Sequence, residues 1–467
     1  MSADRPINAD VEPADKATPD PPAEPRPERP SAETKSEPKA KAKPAPKPKG
    51  QAKPEKPQAK RSRQPIPGAL KAIAALVAVA ILFIVVAVIG AGGDSGSEPA
   101  PGPAPAPAPA ESEGGETDAA QSAEQLGYPA FATNNTTRVG GSDPAANAAA
   151  VALAVFPSVT PEQRPAAVTL VDEDDWAGAI AASVFMSAPL RAPALVSGTE
   201  LPEASEEALA TLDPQGSEET KGTSLIAIGD VEAPGGEVTR VQAGSPAATA
   251  AAIAALRDRL LGSDPDHIVL APSNRPDFAM PAAAWAARSG DPVLFAAGDE
   301  LPQPTVRVLK RHPEVPVYVL GPSAAISSEV VRAVGKLGNE VHRVSGEDPV
   351  ANAIAFARYS DGSFGWNVND PGHGFVLARD DAPLNAAAAA PLSASGTWGP
   401  LLLTDSATDL PGPLREYFLD VKPGYTTNPT RAFYNHVWVV GDQEAIDVNQ
   451  QAQVNEVAEL TKIGGAE

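Results

Sequence analysis

The sequence predicts an α/β protein built as three tandem modules with parallel sheets, and three observations carry that reading. A unit of just over 100 residues recurs three times; each unit holds short uninterrupted apolar runs; Ala-rich stretches separate those runs. Self-similarity at a fixed period marks a repeat architecture. Apolar runs of four or five residues that alternate with helical stretches read as parallel strands buried on both faces beneath helices.

Each copy opens alike. TRVGGSDPAANAAAVA begins at Thr137, TRVQAGSPAATAAAIA at Thr239 and HRVSGEDPVANAIAFA at His342, so Arg138, Arg240 and Arg343 stand 102 and 103 residues apart. Six residues after each arginine comes a proline (Pro144, Pro246, Pro349), and nine after it a polar residue (Asn147, Thr249, Asn352). The next apolar runs lie at 167–172, 267–272 and 373–379, each followed by an Ala-rich stretch with helical character. Pro193, Pro292 and Pro400 introduce a third run, after which Leu201-Pro202, Leu301-Pro302 and Leu410-Pro411 open a helix, proline being suited to a first helical turn. The last run of each copy closes at Gly229, Gly321 or Gly441, where glycine suits a tight turn or a close backbone approach. Units of this size can each hold a small core. The modules are expected at 126–238, 239–341 and 342–463.

The segment ahead of them has a different composition. Residues 1–71 are rich in proline and lysine with few large apolar side chains, so they are expected to be a disordered, basic, cytoplasmic tail. Residues 72–91 run 20 positions without a charge or strong polar group, roughly 30 Å as a helix, which matches a bilayer's hydrocarbon core. Lys60, Arg61, Arg63 and Lys71 precede this run and no Lys or Arg follows until Arg138, so the N-terminus is expected in the cytoplasm and the remainder outside the cell. A cleaved signal peptide is the rival; it would need an n-region of 71 residues, and an uncleaved single-pass anchor is the expectation. Residues 92–125 form a Pro/Ala-rich acidic linker that reaches at most about 105 Å as polyproline II.

Charge and composition exclude several classes. The 467 residues carry a net charge of −22, of which −21 lies in residues 126–467, so a nucleic-acid partner is not expected. With no cysteine the chain has no disulfide, thiolate metal site or cysteine nucleophile. The sequence lacks GxxxxGK[ST], a GxGxxG after a strand, GxSxG and HExxH, and its five histidines do not fall at metal-ligand spacing. No catalytic residue, cofactor or metal is therefore assigned.

The three copies resemble the cell wall-binding repeat 2 family of Gram-positive surface proteins over about residues 137–460. That family's pattern opens with Arg-aliphatic-x-Gly-x-Asp, passes through an Asn-Phe-Pro-Asp-Ala-like turn and a Pro-aliphatic-Leu-Leu strand, and ends each repeat on an aliphatic strand with glycine. Arg138, Gly141 and Asp143 match the opening, as do Arg343, Gly346 and Asp348; in copy two Arg240 matches while Ala243 and Ser245 replace the glycine and aspartate. The turn is best kept as Asn274, Pro276 and Asp277, and the strand as Pro400, Leu401, Leu402 and Leu403. The resemblance implies three Rossmann-like modules in a pseudo-threefold arrangement. It also implies non-covalent binding of an anionic secondary wall polymer of teichoic-acid type, with Pro400–Leu403 in the strand implicated in binding; Arg138, Arg240, Arg343, Asn274 and Asp277 join it as candidate polymer contacts.

Alternatives stay open at several of these residues. The arginines suit phosphate or carboxylate contacts, or equally an interior role at the module boundary. The acid run Asp172–Asp175 reads as a solvated loop with N-terminal helix charge, or as a cation site lacking EF-hand spacing. Trp176, Trp285, Trp366, Trp398 and Trp438 suit sugar stacking or packing; Trp438 lies in an apolar strand and is expected in the core. Trp366, in the irregular SDGSFGWNVNDPGHG segment of copy three, is the exposed candidate. The leading expectation is a membrane-anchored, non-catalytic binder of cell-wall polymer. The alternative is a degenerate scaffold or sensor ectodomain that binds another envelope protein.

Overall fold

The computed structural model describes residues 132–235 and 238–464. The expected tail at 1–71, the expected membrane segment at 72–91 and the expected linker at 92–125 lie outside these residues; among the described residues no helix is long and apolar enough to cross a membrane.

Copy one runs β1 (Thr136–Val139), α1 (Pro144–Val155), β2 (Val168–Asp172), α2 (Trp176–Ala182), β3 (Ala194–Ser197), α3 (Glu203–Leu212) and β4 (Leu225–Ile228). Copy two runs β5 (Val238–Val241), α4 (Pro246–Leu261), β6 (Ile268–Pro272), α5 (Pro276–Ala279), α6 (Pro281–Ser289), β7 (Val293–Ala296), α7 (Gln303–Arg311), β8 (Val317–Leu320) and α8 (Ser328–Gly335). Copy three runs β9 (Val341–Val344), α9 (Pro349–Arg358), β10 (Gly374–Arg379), α10 (Leu384–Ala394), β11 (Leu401–Thr404), α11 (Gly412–Asp420), β12 (Gly424–Tyr425), β13 (His436–Val440), α12 (Val448–Ala458) and β14 (Thr461–Lys462).

The local chemistry of the opening motif is capping. Asp143 and Asp348 accept from the backbone N–H of Ala146 (2.9 Å) and Ala351 (2.7 Å), and Ser245 does the same for Ala248 at 3.3 Å. Serine and aspartate are interchangeable N-caps, which explains why copy two keeps its helix without the aspartate. The following Pro144, Pro246 and Pro349 take the first helical position, where a missing N–H costs nothing. Pro202, Pro302 and Pro411 instead sit one residue ahead of α3, α7 and α11, as their N-caps. Gly229, Gly321 and Gly441 all hold φ between 91° and 104°, the left-handed turn that ends each last strand.

Three four-stranded sheets result, parallel throughout, in the orders β3-β2-β4-β5, β7-β6-β8-β9 and β11-β10-β13-β1. One rule generates all of them, and it is out of phase with the sequence repeat. The opening strand of each copy joins the sheet of the copy before it: β5 pairs with β4, β9 with β8, and β1 crosses to β13 of copy three. The helix after each opening strand stays with its own sheet, α1 on β3, α4 on β7 and α9 on β11. The same helices also pack on the neighbouring copy, α1 on α10, α4 on α2 and α9 on α5. The copies are thus interlocked rather than strung in a row.

At the centre α6 and α10 pack together, and the 3-10 turn after α2 (Ser183–Met186) packs on both. Their facing surfaces are alanine, with Ala282, Ala283, Ala386 and Ala389 at 2% exposure or less, which allows backbones to approach closely. One apolar cluster runs through all three copies, with smaller ones under copies one and three.

Candidate functional site

The repeated arginines lie at the three seams where an opening strand enters a foreign sheet. Arg138 is 3% exposed and donates to the carbonyls of Gly441 (2.8 Å), Asp442 (2.6 Å) and Ile446 (2.5 Å) and to Gln451 Oε1 (2.8 Å). Burial pulls this guanidinium below its usual value, opposed by the charges of Asp442 and Asp447. Arg343, half-buried, donates to the carbonyls of Gly321 (2.6 Å) and Ile326 (2.7 Å), and burial lowers it too. Arg240 is exposed and donates to the Val231 carbonyl at 3.0 Å. Each arginine therefore clamps the loop that follows the last strand of the preceding copy. Of the two readings open at sequence level, the interior one describes Arg138: its Nη donors all meet protein acceptors, leaving no fork for a phosphate.

Asn147 and Asn352 serve the same seams. Each Oδ1 accepts the N–H of the motif glycine, Gly141 at 2.8 Å and Gly346 at 3.2 Å. Gly346 has no room for a side chain, since a Cβ would lie 2.2 Å from the Ala351 carbonyl carbon. Copy two has Ala243 and Thr249 in these places, so the paired departure removes a paired contact.

The strand Pro400–Leu403 corrects the sequence expectation. Pro400 is buried, and Leu401, Leu402 and Leu403 are 1%, 0% and 0% exposed, divided between the central cluster and that of copy three. A polymer cannot reach these side chains; they form β11 for the reason any uninterrupted apolar run does. Asn274 is exposed beyond the C-terminal end of β6, and Asp277 accepts from Arg275 Nε (3.0 Å) and Nη2 (2.6 Å). In the acid run, Asp172 accepts from the N–H of Asp174 and Asp230, while Asp175 caps α2 through Gly178 (2.8 Å) and is pushed up by burial. Burial, then the charge of Asp381, likewise raises Asp380. Among the described residues no group of three His or acidic side chains is placed to hold a metal ion.

A concave surface forms at the opposite end of the sheets. A cleft of about 550 Å³ lies where Trp285 and Arg288 of α6 meet Trp366, His373 and the Thr397-Trp398 turn of copy three. It shares Gly372, His373, Gly374 and Thr397 with a second cleft of about 540 Å³ lined by Tyr434, His436 and Trp438. Trp366 is half-buried against Trp285, their centroids 5.5 Å apart and the rings near perpendicular. The more exposed indole is Trp398, at 55%. Trp438, expected in the core, is half-buried and faces the second cleft beside His436. Burial lowers His436. Of the five indoles the sequence offered for sugar stacking, Trp285, Trp366 and Trp398 line the first cleft and Trp438 the second, whereas Arg138, Arg240, Arg343, Asn274, Asp277 and Pro400–Leu403 line neither. Arg288 carries no motif and was not legible; Trp398 stands between glycines rather than in an apolar run, which is the signal that marks it as exposed.

Comparison with known proteins places the fold. Residues 240–331, one copy from the start of β5 into α8, match the family described as Cell wall binding domain 2 (CWB2). Two structures from Clostridium difficile are similar. Cwp6 aligns with a TM-score of 0.55 and 19% identity, covering 69% of this chain and 47% of its own; Cwp8 aligns at 0.52 and 20%, covering 70% and 52%. This chain thus spans about half the length of either structure. No curated protein matches it.

Proposed function

We propose that the three interlocked copies bind a polymer of the bacterial cell wall without catalysing a reaction on it. In this reading residues 72–91 hold the chain in the membrane as a single-pass anchor with the copies outside. The observation that carries the proposal is the match of residues 240–331, most of copy two, to a wall-binding family, within a fold that builds all three copies by one rule. The polymer expected is an anionic, teichoic-type chain or related polysaccharide. Because residues 126–467 carry −21, such a chain would be repelled at long range and would need a local cation-bearing cleft.

The test is co-sedimentation of the full chain with protein-free sacculi, before and after stripping of the anionic polymer. Saturable retention lost on stripping is the expected result; absence of retention overturns the proposal. Proteolysis of intact cells, expected to remove the copies and spare the tail, checks the orientation. A scaffold that docks another envelope protein is the second reading. It is favoured by Phe433 and Tyr434, which stand 73% and 54% exposed on one loop. Retention that survives on sacculi only when wall proteins are left in place would select it.

A further inference from the structure

The segment that distinguishes copy three, residues 359–373, is a hook. It sends Phe364, 1% exposed, into copy two, where the ring stacks on Tyr318 at 3.6 Å and meets His267 edge-on at 5.4 Å. Asp361 closes the hook by accepting from the Tyr318 hydroxyl (2.5 Å) and from the N–H of Phe364 (3.0 Å). Burial would raise the Asp361 carboxyl, but these donors hold it well below the usual range. Two residues beyond Phe364, Trp366 is therefore held in place against Trp285. From the other side comes Trp398, whose φ of 57° is left-handed and whose indole is more than half in water. Both features cost free energy.

Arg288, exposed at the end of α6, lies between the two indoles, its guanidinium carbon 5.7 Å from each ring centroid. Arg275, Arg358 and Arg379 are each paired with an aspartate, whereas among the described residues Arg288 has no carboxylate within ion-pair distance. A guanidinium held by two aromatic faces, with its N–H donors unengaged, is oriented for a planar or tetrahedral oxyanion. The adjoining indole faces suit the C–H surface of a sugar ring. A cleft of about 550 Å³ falls in the size range of small-ligand sites, and its continuity with the second cleft leaves room for a chain.

We infer that Arg288, Trp366 and Trp398 form a site for an anionic sugar unit, a pyranose bearing a phosphate or carboxylate, with Arg288 on the anion and the indoles on the ring. The inference gives a ligand chemistry to the wall-binding reading and rests on it only for the source of the sugar.

The test is tryptophan fluorescence of the full chain titrated with glucose 1-phosphate, N-acetylglucosamine 1-phosphate, glucuronate, glucose and inorganic phosphate. At least one anionic sugar is expected to give saturable quenching, with glucose and phosphate at least tenfold weaker. Arg288→Ala should bring the anionic sugar down to the affinity of glucose, Arg288→Lys should fall between, and Trp398→Ala should abolish the response, all with unchanged melting curves. No saturation by any anionic sugar, equal binding of phosphate alone, or wild-type binding by both alanine variants would overturn the inference. Retention on sacculi separates the two proposals. Retention unaffected by Arg288→Ala and Trp398→Ala sinks the inference and leaves wall binding intact; sugar binding without retention does the reverse.

Discussion

Two kinds of seam join the copies, and they are built differently. At the internal seams the donated strand follows closely on its acceptor, with Leu225 opposite Val238 and Val317 opposite Val341. At the closing seam β1 must find β13 across most of the fold, with Thr136 opposite Val437. Closure entropy grows with the logarithm of loop length, so the closing seam costs about 2–3 kcal/mol more than either internal one. Its polar contacts are correspondingly denser. Arg138 has four acceptors against two for Arg343 and one for Arg240. Asn147 Nδ2 donates across the seam to Asn385 Oδ1 at 3.0 Å, while the equivalent Asn352 Nδ2 is buried without a partner among the described residues. Gln451 Nε2 donates to Thr136 Oγ1 (2.9 Å), and Asn455 Oδ1 accepts from Thr133 Oγ1 (2.6 Å) and the Asn135 N–H (3.1 Å). Hydrogen bonds worth about 1 kcal/mol each, more for a charged donor, are enough to offset the longer closure. The lesson is that sequence distance, rather than module identity, decides where the buried polar contacts are concentrated.

That contrast breaks if the three arginines prove equivalent. In urea unfolding Arg138→Ala is expected to lose about 3–5 kcal/mol, because it strands several buried acceptors at once. Arg343→Ala should lose about 1–2 kcal/mol and Arg240→Ala less than about 1 kcal/mol. The asparagines sharpen it further. Asn147→Ala removes two contacts and should cost about 1–2 kcal/mol, whereas Asn352→Leu loses only the Gly346 N–H contact while relieving the unpaired Nδ2, and should cost less than about 1 kcal/mol.

The smallest effect is in pH. His436, beside Thr137 Oγ1 at 3.1 Å in the closing seam, is lowered by burial. A histidine whose folded value lies below its unfolded one destabilises as pH falls through the unfolded value, so acid should weaken this seam. His267 in copy two behaves oppositely. Burial lowers it, but the hydrogen bond and charge of Asp291, with the charges of Asp266 and Asp361, together outweigh burial and raise it. Its stabilisation is present below the unfolded value and lost as pH rises through the folded one. Melting temperatures between pH 5 and 8 should therefore rise on the acid side in His436→Gln and fall there in His267→Gln.

The period of the fold was legible in the sequence; its phase was not. Self-similarity reports that Arg138, Arg240 and Arg343 are equivalent, but nothing local tells β1 to pair with β13 rather than β2, since its short TTRV sequence carries no signal for either sheet. The same limit misplaced Leu401–Leu403. An uninterrupted apolar triplet signals burial, and the resemblance set a binding role against that physical reading. Ser245 shows the converse, because the capping requirement made its exchange for aspartate harmless. The cleft was the least legible part. Arg288 and Trp398 lie 110 positions apart and meet because α6 packs on α10, while the hook brings Trp366 to the same place.

The exchange of β1 into copy three has a mechanical consequence. Ahead of β1 the chain folds back, Ala132 bridging Thr137, so a pull delivered through residue 132 must first open that bridge and only then loads the ladder to β13, whose bonds resist together when sheared along the strand. The cleft borders His373, Gly374 and His436, at the starts of β10 and β13 in that same sheet. Tension between residue 132 and anything gripped there would pass through the one sheet that β1 completes.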